Sequence, residues 1–120
     1  MAKDEWYRLE TDEELLSPAL LFYPDRIKEN IDHMIRIAGS VDRLWPHVKT
    51  HKNAEIIKLQ LSKGIRKFKC STLSELSLLV KCGAREALLA MQPTSVHLER
   101  VLEISRKNPE KRCSTLVDNA

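Results

Sequence analysis

The sequence predicts an α/β fold of parallel strands joined by crossover helices, and three observations carry the prediction. From Arg43 onward, short apolar runs alternate with segments of helical period. The periodic segments are bounded by start and stop signals: Asn53 and Thr72 in front of two of them, Gly64, Gly83 and Asn108-Pro109 behind. The run Ala87 to Met91 is almost wholly apolar, as expected of a strand buried on both faces. Two architectures fit this order, an open doubly wound sheet and part of a (β/α)8 barrel. Periodicity does not choose between them. A complete barrel takes roughly 250 residues, so in a chain of 120 residues the barrel reading means a partial barrel, its first few βα units only.

The elements follow in order. Met1 to Leu16 is polar and reads as an arm or a short helical lead-in. Ser17 to Tyr23 is an apolar run that reads as a strand, with Pro18 near its start, where a missing N–H is tolerable. Pro24 and Asp25 open a helix whose face is Ile27, Ile31, Met34, Ile35 and Ala38, and Gly39 stops it. Arg43 to Lys49 reads as a strand. Asn53 caps a helix carrying Ile56, Ile57, Leu59 and Leu61, closed by Gly64. Phe68 to Ser71 is a short strand. Thr72-Leu73-Ser74-Glu75 is a capping box: the hydroxyl accepts from a free backbone N–H and the glutamate reaches back. Its helix carries Leu76, Leu79 and Val80. Ala87 to Met91 is a strand. Ser95 to Lys107 is a helix with Val101, Leu102 and Ile104 toward the core, and Asn108-Pro109 ends it. Cys113 to Val117 is the last strand. Met34 and Met91 read as core filler.

Composition narrows the function classes. The chain is 42% hydrophobic and 31% charged, the ordinary balance of one globular domain. Its net charge of +3 is spread among interspersed acids and bases, which argues against a nucleic-acid partner. Cys70, Cys82 and Cys113 are odd in number and widely spaced, so they read as small hydrophobes in a reducing compartment. Met1 to Glu10 has no apolar signal region, and no run is long enough to span a bilayer. The expectation is a cytoplasmic protein with no membrane partner.

The segment that carries chemistry is Trp45-Pro46-His47-Val48-Lys49-Thr50-His51-Lys52. On a strand, His47, Lys49 and His51 share one face and Val48 takes the other. Three ionisable groups turned into a sheet or barrel are costly unless used. Burial disfavours a charged ammonium, and a free amine attacks aldehydes. Protonated imidazoles beside it act in the same direction. The C-terminal ends of strands are also where α/β active sites lie. The plain alternative is a solvated loop lysine. A zinc pair at His47 and His51 is disfavoured, because H-E-x-x-H lacks its glutamate here and Pro46 argues against a helix. With three glycines in all, no phosphate-cradling Gly-rich loop can be drawn, and no nucleophile elbow is present.

Trp45 to Lys52 resembles the R-P-H-x-K-T-H-K motif of the D-threonine aldolase and D-serine dehydratase group, pyridoxal-phosphate (PLP) enzymes of fold type III with an alanine-racemase-like N-terminal barrel. Ser17-Pro18-Ala19-Leu20-Leu21 is similar to that group's opening T-P-A-L-V. Phe68-Lys69-Cys70-Ser71-Thr72-Leu73-Ser74-Glu75 is similar to K-F-K-C-A-T-x-x-E. Leu88-Leu89-Ala90-Met91-Gln92-Pro93 is similar to L-L-A-Y-Q-P, and Val117-Asp118-Asn119 to V-D-N. Several motifs in the right order are more specific than any one alone.

The resemblance implies a TIM-type barrel and a lyase. Lys49 takes the place of the Schiff-base lysine that binds PLP, with His47 beside the cofactor and His51 and Gln92 as candidates for substrate contact. The implied substrate is a D-configured 3-hydroxy amino acid. The implied reaction is retro-aldol cleavage to glycine and an aldehyde, with D-serine-type deamination, a non-catalytic PLP-binding barrel and an inactive fragment as alternatives. It implies a homodimer at full length. It also implies a divalent metal ion whose ligands lie outside this chain, on a C-terminal β domain that residues 1–120 do not include. One position departs from the pattern: Trp45 stands where the group carries arginine, with Arg43 two residues earlier as a possible replacement.

Overall fold

A computed structural model of the chain describes residues 5–118. Four helices and three strands follow one another: α1 (Pro24–Ala38), α2 (Ala54–Ser62), β1 (Lys67–Cys70), α3 (Leu73–Cys82), β2 (Glu86–Leu89), α4 (Ser95–Lys107) and β3 (Arg112–Thr115). Two single 3-10 turns, Val41–Arg43 and Val48–Thr50, lie between α1 and α2. The sheet has the order β1-β2-β3 and is parallel throughout, with Lys69 opposite Leu88 and Leu88 opposite Ser114. Strand followed by crossover helix to a neighbouring parallel strand is the βα unit of a barrel wall. The α/β class and the partial (β/α)8 architecture are thus as the sequence predicts.

Helix boundaries follow from side chains that satisfy free backbone groups. Pro24 begins α1, and Gly39 ends it in the left-handed region with its N–H on the Ile35 carbonyl. The Asn53 side-chain oxygen accepts from the N–H groups of Glu55 and Ile56. Thr72 Oγ1 accepts from the Glu75 N–H at 3.1 Å. The returning Glu75 carboxylate takes the Ser71 N–H at 2.7 Å, one residue earlier than a capping box places it.

The helices cover one face of the sheet. Phe68, Cys70, Ala87 and Leu89 point into that layer and cluster with Ile57, Ile65, Leu76, Leu79 and Val101. Lys67, Lys69, Glu86 and Leu88 alternate with them and line the opposite, open face. Lys67, Glu86 and Arg112 stand in one row there, and Arg112 pairs with Glu86 at 3.7 Å.

Several predicted elements change. Ser17 to Tyr23 forms no strand; Leu20 is 70% and Leu21 45% exposed, and among the described residues no strand pairs with the segment. An isolated extended run has no ladder to join, whatever its composition. The lead-in helix is absent from residues 5–16, which form a turn at Trp6 and Tyr7. That arm is seated on α1 by the Trp6 ring, against Tyr23 at 5.1 Å and under Arg26 at 3.7 Å. The strand from Arg43 to Lys49 shrinks to a single bridge at His47, for reasons given below. β2 is buried on one face rather than two, and Met91 is exposed, so it is not core filler. Leu102 is also exposed, while Val101 alone of its helix is fully buried. β3 stops at Thr115, leaving Leu116 and Val117 exposed. Of the Val117-Asp118-Asn119 motif, Asn119 lies outside the described residues.

The three cysteines are free. Cys70 is buried, and burial pushes its thiol up to about 12, so it stays protonated and behaves as a hydrophobe. No helix among the described residues is long and apolar enough to cross a membrane.

Candidate functional site

The segment Pro46 to Lys52 leaves the sheet at its C-terminal end, beside β1. The Lys69 N–H donates to the Pro46 carbonyl at 2.9 Å, and His47 forms a parallel bridge with Lys69. Pairing ends there for two chemical reasons. Pro46 has no N–H to extend the ladder. The Val48 carbonyl, which would take the Ser71 N–H in a continued ladder, is turned into the loop, where the Lys49 N–H binds His47 Nδ1 at 3.1 Å and the Ser71 N–H goes to Glu75. The chain then closes a 3-10 turn, with the Val48 carbonyl accepting from the N–H groups of His51 at 3.2 Å and Lys52 at 2.8 Å. Val48 is fully buried and pins the turn to the core.

This turn corrects the strand alternation. His47, Lys49 and His51 do not share an inward face. His47 is half-buried beside Lys69, and Lys49 is exposed. His51 turns to the other side: its Nδ1 accepts from the Asn53 N–H at 3.0 Å, and its ring borders a cleft between α1 and α2 with Met34 and Gln60.

His47 is held at both ring nitrogens. With Nδ1 accepting from Lys49, the proton of the neutral ring sits on Nε2, which donates to Ser71 Oγ at 3.1 Å. Burial, and then the ammonium groups of Lys69 and Lys49, push its pKa below the ordinary histidine value, against an opposing pull from Glu75. Burial lowers that of His51 as well. Neither ring is the protonated neighbour that the sequence reading considered.

Behind the turn lies an ion pair that sequence reasoning did not single out. Glu75 is 2% exposed, and its Oε1 stands 3.3 Å from Lys52 Nζ. That oxygen has no hydrogen-bond partner of good geometry and depends on the ammonium charge. Burial alone would raise the Glu75 carboxyl; the Ser71 N–H and the Lys52 ammonium outweigh it and hold the group below its usual range. Lys52 also donates to the Lys49 carbonyl at 3.0 Å. Its backbone is left-handed, with φ 47°, a conformation that costs an L residue about 1–2 kcal/mol. The capping box was a usable signal for Glu75. Nothing in the sequence pointed Lys52 at it.

Gln92 follows β2 at the same end of the sheet. It lines a cleft of about 310 Å³ with Ser71, Thr72, Leu89, Thr94 and His97, between the first turns of α3 and α4. Ser71 is therefore shared, touching His47 on one side and the Gln92 cleft on the other. Arg43 does not replace the missing arginine at Trp45; its guanidinium donates to the Ala38 carbonyl at the end of α1. Trp45 instead faces Lys67, whose ammonium lies 5.6 Å from the ring centre and donates to the Asp42 carbonyl.

Parallel βα units with helices on one face make a stretch of barrel wall, and the turn that carries Lys49 lies at the C-terminal ends of its strands, where barrel sites lie. The chain belongs to the alanine racemase N-terminal domain family, whose model matches residues 23–117. A solved structure, D-threonine aldolase from Filomicrobium marinum, superposes with a TM-score of 0.72 at 27% identity over 88% of this chain. The chain spans 28% of the length of that structure. Among curated proteins none matches. The family read from the motifs, the fold type III PLP enzymes, is thereby borne out.

Proposed function

We propose that this chain forms the N-terminal, cofactor-anchoring part of a PLP-dependent lyase, and that Lys49 is the residue that binds PLP. The reaction proposed is D-threonine aldolase-like cleavage of a D-3-hydroxy amino acid. The observation that carries it is the placement of Lys49: its side chain is exposed on a turn fixed at the strand ends, in a chain 27% identical to a D-threonine aldolase.

The residues present fit an anionic aldehyde cofactor. Lys49 offers the amine, and Lys69 and Lys52 add positive charge around His47. PLP, when bound, supplies the electron sink for the bond cleavage. The chain's own residues do the rest by position. His47 Nδ1 holds the Lys49 backbone, and Ser71 holds the ring. Gln92, at the end of β2, is assigned to polar contact with cofactor or substrate, in preference to His51, whose ring faces α1 and α2. In the substrate, the Cα–Cβ bond breaks, the 3-hydroxyl gives up its proton as the aldehyde forms, and Cα takes a proton to give glycine. The metal ion and the second domain of the complete enzyme belong to the same proposal and lie outside these residues.

The test is product analysis on the protein that carries this chain, supplied with PLP and D-threonine. Glycine and acetaldehyde are expected, falling to background in Lys49→Ala. Glycine release that survives Lys49→Ala would contradict the assignment of Lys49. Ammonia and a 2-oxo acid from D-serine, without glycine, would replace the aldolase reading with a dehydratase. PLP binding with neither product would leave a binding protein on the same barrel.

A further inference from the structure

Both backbone polar atoms of Lys49 are engaged, and following their partners leads around a closed circuit. The Lys49 N–H donates to His47 Nδ1 at 3.1 Å. His47 Nε2 meets Ser71 Oγ at 3.1 Å. The Ser71 N–H donates to Glu75 Oε2 at 2.7 Å. Glu75 Oε1 faces Lys52 Nζ at 3.3 Å, and the same Nζ returns to the Lys49 carbonyl at 3.0 Å. The circuit joins two segments far apart in sequence, the turn after His47 and the β1–α3 junction. Local turn bonds alone would not tie them.

We propose that Lys52 and Glu75 are positioning residues for Lys49: a charge pair that locks the anchor lysine's backbone to the end of β1 and so fixes the direction of its amine. The proposal rests on Lys49 as the PLP-binding residue. Three features support it. The carboxylate is nearly fully buried and its Oε1 faces the Lys52 ammonium at 3.3 Å, an arrangement that is costly unless the partner stays in place. Lys52 keeps a left-handed backbone, φ 47°, where glycine would sit without strain. Glycine would relieve that strain but would remove the ammonium that Glu75 and the Lys49 carbonyl share. Finally, the lock acts on the main chain and leaves the Lys49 side chain exposed for reaction. Fixing a reactive group in this way is preorganisation, which works by restricting the angles and distances available to it.

The experiment uses the protein that carries this chain in four forms: wild type, Lys52→Met, Lys52→Gly and Lys52→Arg. Two quantities are read. The first, without cofactor, is amide hydrogen exchange at Lys49 and Ser71, with Ala90, bonded to the Cys70 carbonyl in the sheet, as the internal reference. The second is the PLP concentration for half-maximal borohydride-trapped pyridoxyl on Lys49. Lys52→Met is expected to speed exchange at Lys49 about tenfold and weaken PLP capture about tenfold, the size of one lost charge-assisted hydrogen bond. Ala90 should not change. Lys52→Gly should behave like Lys52→Met although it relieves the backbone, and Lys52→Arg should recover most of both quantities. The proposal is overturned if Lys52→Met leaves both within twofold, or if Lys52→Gly captures PLP as well as wild type. An adduct that forms on another residue instead would sink the reading of Lys49, while the exchange data would still report on the circuit.

Discussion

The turn after His47 and the turn after Leu89 leave the same end of the sheet, and they are held differently. In the first, side chains take up the backbone at successive residues: His47 binds the Lys49 N–H, His51 the Asn53 N–H, and Asn53 the first N–H groups of α2. A buried glutamate braces it from behind. In the second, the hold comes from β3, whose Thr115 hydroxyl donates to the Met91 carbonyl at 2.9 Å, while Thr94 precedes α4 without capping it and its hydroxyl goes to His97 at 2.8 Å. The first turn carries the lysine proposed to make a covalent bond, which demands a fixed backbone. The second carries Gln92, whose proposed contact with cofactor or substrate needs only reach. The first turn is tied by its own side chains and a buried carboxylate, the second by one hydroxyl of the neighbouring strand.

The comparison can be broken most strongly at Glu75. Glu75→Ala should destabilise the fold by about 2 kcal/mol in urea unfolding. Full buried-pair values do not apply, because the Lys52 side chain is 57% exposed and screened by solvent. A loss near zero would mean that the brace carries no load. Next come the two threonines that precede helices at this end. Thr72→Ala should cost about 1 kcal/mol, since its hydroxyl caps α3. Thr94→Ala should stay within about 0.5 kcal/mol, since its hydroxyl caps nothing. Equal losses would erase the distinction between the turns.

The smallest effect is one of pH. The folded pKa of His47 lies below its unfolded value of about 6.5, so the unfolded chain binds the proton first as pH falls. Stability is therefore highest above that value and declines as pH drops through it toward the folded pKa. His47→Gln should remove that part of the slope in a pH series of melts. Lys69→Met should raise the His47 titration seen by NMR and leave His51 unmoved, because Lys69 acts on the first ring only. Glu75 contributes in the same sense at lower pH: its depressed pKa gives stability above about 4.3 that is lost on further acidification.

The legible parts of the sequence were those governed by neighbours along the chain. Pro24 and Gly39, Asn53, the Thr72 cap and Gly83 mark helix ends because each acts within a turn of its own position. The lysine proposed as the anchor stands out through an ordered set of motifs, the fold through alternation. What failed depended on partners distant in sequence. Ser17 to Tyr23 has strand composition but no described strand beside it. Leu88 is apolar, yet the helices cover only the other face of its strand, and Met91 lies beyond the strand's end. The alternation through His47, Lys49 and His51 failed locally, because the Val48 carbonyl closes a turn with His51 and Lys52 and the His47 imidazole takes the Lys49 N–H. Ser71 and Lys52 could not be found at all before the pairing of His47 with Lys69 brought the two turns together.

The account's central claim is that Lys49, and no other amine at this end of the sheet, anchors the cofactor. The direct measurement is to incubate the protein that carries this chain with PLP, reduce with borohydride and map the pyridoxyl group by peptide mass spectrometry. The account predicts a single modified site at Lys49, and loss of the adduct in Lys49→Ala with Lys52 and Lys69 intact. A pyridoxyl group found on Lys52 or Lys69, or an adduct undiminished by Lys49→Ala, would contradict it.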